Sequence, residues 1–77
     1  MDSKDAQIFI FRLDSVIDMM RRSVAGNCHI AVNIRQTAIW LKEMIEKDWR
    51  SLEKEDTQRF VRRIENKTVE YFQKIYG

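Results

Sequence analysis

Residues 4–24, KDAQIFIFRLDSVIDMMRRSV, decide the fold. Advancing about 100° per residue, Ala6, Phe9, Ile10, Leu13, Val16, Ile17, Met20 and Val24 fall within one broad stripe, as in a helix that faces a core. The same arithmetic sets Ile8, Phe11 and Met19 on the opposite side, beside Ser15. A helix that is apolar on two sides needs cover on both.

Beyond this helix the chain reads Val24-Ala25-Gly26-Asn27, a joint in which Gly26 can close one helix in the left-handed conformation and Asn27 can open the next. Ser3 is the expected N-cap of the first helix, and Arg21 and Arg22 oppose the negative end of its dipole. A second joint falls within Asp48 to Lys54, with Ser51 as the expected N-cap and Glu53, Glu55 and Asp56 as an acidic start to the next helix. Helices are therefore expected at about 4–24, 28–48 and 52–75. The second places Ile30, Ile34, Ala38, Leu41, Met44 and Ile45 on its core stripe, with Val32 and Ile39 well away from it. Trp40 lies elsewhere again, in line with His29, Asn33, Gln36 and Lys47. The third has one apolar stripe, Phe60, Val61, Ile64, Thr68, Tyr71, Phe72 and Ile75, and charged flanks. The expected fold is all-α: a single domain over 1–77, built as an antiparallel three-helix bundle of a helical hairpin plus a third helix. Because the second joint holds no Gly or Pro, one continuous helix from 28 to 75 is a competing reading.

Composition agrees with helices. Among 77 residues, 44% are hydrophobic and 34% charged, with two Gly and no Pro, which is too apolar for disorder and too poor in turn formers for an all-β domain. The length leaves room for one domain and excludes a multi-domain enzyme, a solenoid or a channel. Fourteen Lys and Arg against twelve Asp and Glu give a net charge of +2, which argues against a dedicated binder of nucleic acid or anionic membrane. The apolar run Ile8 to Phe11 is too short for a signal-peptide core, and no segment approaches a membrane span. The single cysteine, Cys28, forms no intramolecular disulfide and suits a reducing compartment, so a cytoplasmic location is expected.

A domain of this size buries only about 60% of its unfolded surface and draws stability from elsewhere. Covering Ile8, Phe11, Met19, Val32 and Ile39 between subunits would add roughly 1.5–3 kcal/mol per fully buried large side chain before the costs of association. A homodimer or higher oligomer is the expected solution, with Trp40 and Trp49 as aromatic anchors for self or partner.

Catalytic chemistry is scarce. Cys28 and His29 are neighbours, and neighbours on a helix point about 100° apart, so one does not activate the other within a chain. Ser51-x-x-Lys54 matches a serine–lysine string but sits in a capping turn. One His and one Cys do not fill a tetrahedral metal site, the carboxylates lack the spacing of a calcium loop, and Gly26 and Gly77 make no phosphate loop, so neither enzyme activity nor a metal or cofactor is expected.

Charge is uneven along the chain. Residues 43–56 carry six acids against three bases, whereas from Thr57 onward Arg59, Arg62, Arg63, Lys67 and Lys74 outnumber Glu65 and Glu70. Arg59, Arg63, Lys67 and Lys74 share one side of the third helix, interrupted by Glu70, and Arg21 and Arg22 lie near the amide-rich start of the second; these six and Arg62 are candidate phosphate contacts beside their plainer readings as solvated surface and dipole neutralisation. The segment from Cys28 to Leu41, CHIAVNIRQTAIWL, resembles the second helix of phage proteins that sequester cyclic oligonucleotide signals, at small and apolar positions leading to Trp40. It spans about a fifth of the chain, and Arg35 and Gln36 stand where that family more usually has an acidic pair. The resemblance implies a helical hairpin and adds weight to ligand sequestration without assigning contact residues. The leading expectation is a non-enzymatic interaction protein, an adaptor, inhibitor or regulator that docks onto a partner protein as an oligomer. The alternative is capture of a phosphate-rich ligand, either double-stranded RNA along a helical face or a cyclic nucleotide in a subunit pocket.

Overall fold

A computed structural model describes residues 1–22 and 29–76. Three helices pack against one another, α1 (Ser3–Arg22), α2 (His29–Asp48) and α3 (Lys54–Tyr76), and the described residues contain no strand. The joint at 24–27 and Cys28 lie outside the described residues. A continuous helix from 28 to 75 is excluded, because a 3-10 turn, Trp49–Ser51, and an extended Leu52 (φ −86°, ψ 141°) separate α2 from α3.

Two expected caps are corrected. Asp2, not Ser3, opens α1: its Oδ1 accepts the Asp5 amide at 2.8 Å and its carbonyl accepts the Ala6 amide at 3.1 Å. A carboxylate there meets an orphan donor and the positive helix end at once. Ser51 belongs to the 3-10 turn, and α3 starts at Lys54 rather than near 52. The N-terminal ammonium donates to the carbonyls of Leu52 (2.7 Å) and Trp49 (3.3 Å), the second of which also accepts the Leu52 amide, and so ties the chain start to the joint between α2 and α3.

Cross-helix pairs fix the up-down-up order. Asp14 accepts from Lys42 (2.7 Å), Asp5 from Lys54 (3.5 Å), and Glu65 receives the Arg12 guanidinium through two nitrogens, with Nε at 3.0 Å. The hydrogen bond to Asp14 raises the Lys42 ammonium above its ordinary 10.5, and that to Glu65 likewise raises Arg12. A base raised on folding adds stability that is complete below its unfolded value and is lost only as pH climbs through the folded one, so the lysine contribution fails only in strong alkali. These pairs are part-exposed and worth about 0–1 kcal/mol each, so they set register more than stability.

The core is a single cluster in which Leu13, Val16, Met20, Ile45 and Val61 are the large side chains most completely removed from water. All of α1's buried residues, Ala6, Phe9, Leu13, Val16, Ile17 and Met20, belong to the expected stripe. Thr57 and Thr68 are buried with their hydroxyls returned to the carbonyls of Glu53 and Ile64 at 2.8 Å, which removes the cost of burying them. On α2 and α3 the expected stripe is shifted. Ile30 is 53% exposed and Ala31 takes its place in the core, while Phe60 (51%) and Ile75 (38%) also face outward. α2 turns the small residues Ala31 and Ala38 into the core, and the neighbouring Ile30 edge faces outward.

Leu13→Ala should cost about 2–5 kcal/mol in denaturant unfolding, since it empties a site with no exposure to water. A loss below about 1 kcal/mol would contradict this core.

Candidate functional site: the groove between α2 and α3

On the edge of the bundle away from α1, α2 and α3 part to leave an open groove of about 430 Å³. Its floor is Ile34, Leu41, Ile64 and Tyr71, the outward edges of core residues. On the α2 side stand Ile30, Asn33, Thr37 and Trp40, with His29 at the end. Asn33 and Thr37 are short, and the Thr37 hydroxyl folds back to the Asn33 carbonyl at 2.8 Å, so neither fills the space. The α3 side carries Phe60, Arg63, Lys67 and Lys74.

Two properties distinguish this groove. It is lined by exposed aromatic surface, Trp40 at 59% and Phe60 at 51%, which is costly to leave in water. It is also cationic without compensation: no carboxylate lines it, and Arg63, Lys67 and Lys74 have no ion-pair partner among the described residues. The Arg63 guanidinium lies 5.9 Å from the centre of the Phe60 ring, a cation–π contact that keeps both side chains at the rim.

The residues singled out from sequence divide accordingly. Trp40, Arg63, Lys67 and Lys74 come together here. Arg59 pairs with Asp56 at 3.2 Å, Arg62 lies outside the groove, and Arg21 and Arg22 end α1, where Arg22 meets Asp18 at 3.2 Å. Ile8, Phe11 and Met19 are exposed along the outer face of α1, Phe11 most of all at 72%. Val32 is half-buried; Ile39 and Trp49 are half-buried against the core, and Arg50 covers the Trp49 ring at 5.1 Å. Met19 also reaches a second, shallower cleft with Val69, Phe72 and Tyr76 of α3, where the last two rings stack 5.7 Å apart.

Sequence reasoning missed Ile30 and Phe60, which it placed in the core, and Asn33 and Thr37 as the gap-makers. The available signal was the pairing of short polar residues one turn apart on α2 with long cations on α3. Among the described residues no group of three or more His, Cys, Asp and Glu side chains could hold a metal ion.

Because Trp40 and Phe60 project into water, Trp40→Ala and Phe60→Ala should each change unfolding free energy by less than about 1 kcal/mol, against the 3–5 kcal/mol of a buried aromatic. A larger loss on denaturant titration would mean that the groove is closed. The chain matches no family model, no curated protein and no solved structure.

Proposed function

We propose that this chain is a non-enzymatic interaction protein that docks onto another protein through the α2–α3 groove and self-associates through the outer face of α1. The observation that carries the docking reading is the groove itself. Apolar and aromatic surface at the bottom of a concave site, with a polar and charged rim, is the composition of a protein-binding hot spot. The exposed run Ile8, Phe11 and Met19 supports self-association, because among the described residues Ile8 and Phe11 stay open to water and Met19 is only flanked by α3.

A second reading rests on the same three uncompensated cations. Arg63, Lys67 and Lys74 suit phosphate oxygens as well as carboxylates, which keeps a phosphate-rich ligand, double-stranded RNA or a cyclic nucleotide, in contention. Against it stands the breadth of apolar floor, which a duplex backbone would leave in water.

Light scattering on the eluting protein tests self-association: wild type is expected at twice the monomer mass or more, and Phe11→Asp at the monomer mass with unchanged helicity. A monomeric wild type at about 100 μM would remove the oligomer from this proposal. Salt separates the two docking readings, since a phosphate-backbone complex weakens by about tenfold or more between 50 and 200 mM salt. Steep salt-dependent binding of duplex RNA or a cyclic nucleotide, lost in Arg63→Glu, would favour the second.

A further inference from the structure

We propose that the occupant of the α2–α3 groove is a single acidic amphipathic helix of a partner protein, which seats as the fourth helix of a bundle. This rests on the protein-docking reading above and assigns the partner its chemistry.

Length comes first. The groove runs from His29 to Leu41 on α2 and from Phe60 to Lys74 on α3. At 1.5 Å per residue these edges are roughly 18 and 21 Å long, the span of about 12–14 helical residues. Backbone chemistry comes second. Both walls are α-helices whose amides and carbonyls, beyond the end turns, are spent within the helix, so the groove offers no strand edge and no ladder of hydrogen bonds. An extended peptide lying there would leave its own backbone groups without partners on the apolar floor. A helix brings them already satisfied and needs only an apolar stripe, so helix-in-groove is the mode that these walls permit.

Charge comes third and sets the sign. Arg63 and Lys67 stand one turn apart on the α3 rim and Lys74 two turns beyond, and no lining residue is acidic. A helix with Leu-like residues at i, i+3, i+4 and i+7 would lay that stripe on Ile34, Leu41 and Ile64, between Trp40 and Phe60. Carboxylates on its flank would then meet the three cations. The exposed apolar strip of α1, the face through which a second copy is proposed to associate, does not supply such a helix. The exposed strip of α1 has Lys4 and Arg22 beside Ile8 and Phe11, with Asp18 as the acid among them, and that acid already pairs with Arg22. The outer face of α1 therefore lacks the complementary charge.

The test uses the full chain and three labelled peptides of about 14 residues, read by fluorescence anisotropy. The first carries a Leu stripe with Glu elsewhere, the second the same stripe with Lys for Glu, and the third has the composition of the first with a central Pro that prevents a continuous helix. The acidic helix should bind at least about tenfold more tightly than either of the others, and its affinity should fall by several-fold when salt rises from about 50 to 300 mM. In Arg63→Glu/Lys67→Glu/Lys74→Glu, with circular dichroism unchanged, the order of the first two should invert; should that variant fold poorly, Lys67→Glu/Lys74→Glu is expected to narrow the preference. No binding of the acidic helix, equal affinity for its lysine twin, or an order that survives charge reversal overturns the inference. Tighter binding of the lysine or Pro-broken peptide, abolished by Trp40→Ala, overturns it while protein docking in the groove stands. Failure of all three peptides beside salt-sensitive binding of duplex RNA overturns both.

Discussion

One packing arrangement underlies the rest of this structure: α1 enters the seam between α2 and α3 from one side only. Leu13 and Met20 of α1, Ile45 of α2 and Val61 of α3 belong to one core cluster, and each is wholly removed from water. Each such side chain stabilises the fold by about 1.5–3 kcal/mol, whereas the part-exposed ion pairs Arg12–Glu65, Lys42–Asp14 and Lys54–Asp5 are worth about 0–1 kcal/mol apiece. Burial therefore decides which faces turn inward, and the ion pairs choose among registers that burial leaves open. With three helices of similar length, no described helix packs on the far side of the α2–α3 pair. The groove follows from the core.

That dependence explains what was legible in the sequence. The α1 stripe could be read outright, because its apolar positions recur over the whole helix, and the outward placement of Phe11 came with it. The α2 stripe was misread by one position at its start, where Ile30 looks like core and Ala31 does not. Hydrophobicity ranks Ile first, but a close-packed core takes the smaller residue where space is short, and Ala31 is the one buried. Phe60 was misread for a related reason: periodicity gives the direction of a side chain and not the lateral distance to the next helix. The line of His29, Asn33 and Trp40 and the cationic side of α3 were each visible, but with Phe60 assigned to the interior nothing joined them into one site. The second joint is legible to within a few residues, while its 3-10 turn and the ammonium of Met1 bound to Leu52 and Trp49 depend on residues distant in sequence meeting in space.

Two unsatisfied surfaces remain, and they lie on different sides. The outer face of α1 presents Ile8 and Phe11, whereas the groove opens on the edge of α2 and α3 away from α1. Self-association through the first and capture through the second would not compete for area. They also differ in charge: the α1 strip mixes Lys4, Asp18 and Arg22, while the charged residues that line the groove, Arg63, Lys67 and Lys74, are all cations on its α3 side. No helix in the described residues is long and apolar enough to cross a membrane, so neither surface belongs to a spanning segment.

The central claim is an open apolar groove with an uncompensated cationic rim, and Trp40 is its natural probe. In Trp49→Phe, which leaves Trp40 as the single indole, quenching by iodide and by caesium should be compared at equal ionic strength. An exposed ring beside Arg63, Lys67 and Lys74 concentrates the anion and repels the cation, so iodide should quench about several-fold more effectively than caesium, from a red-shifted emission. A blue-shifted Trp40 that neither ion reaches, or one that both quench equally, would contradict the account.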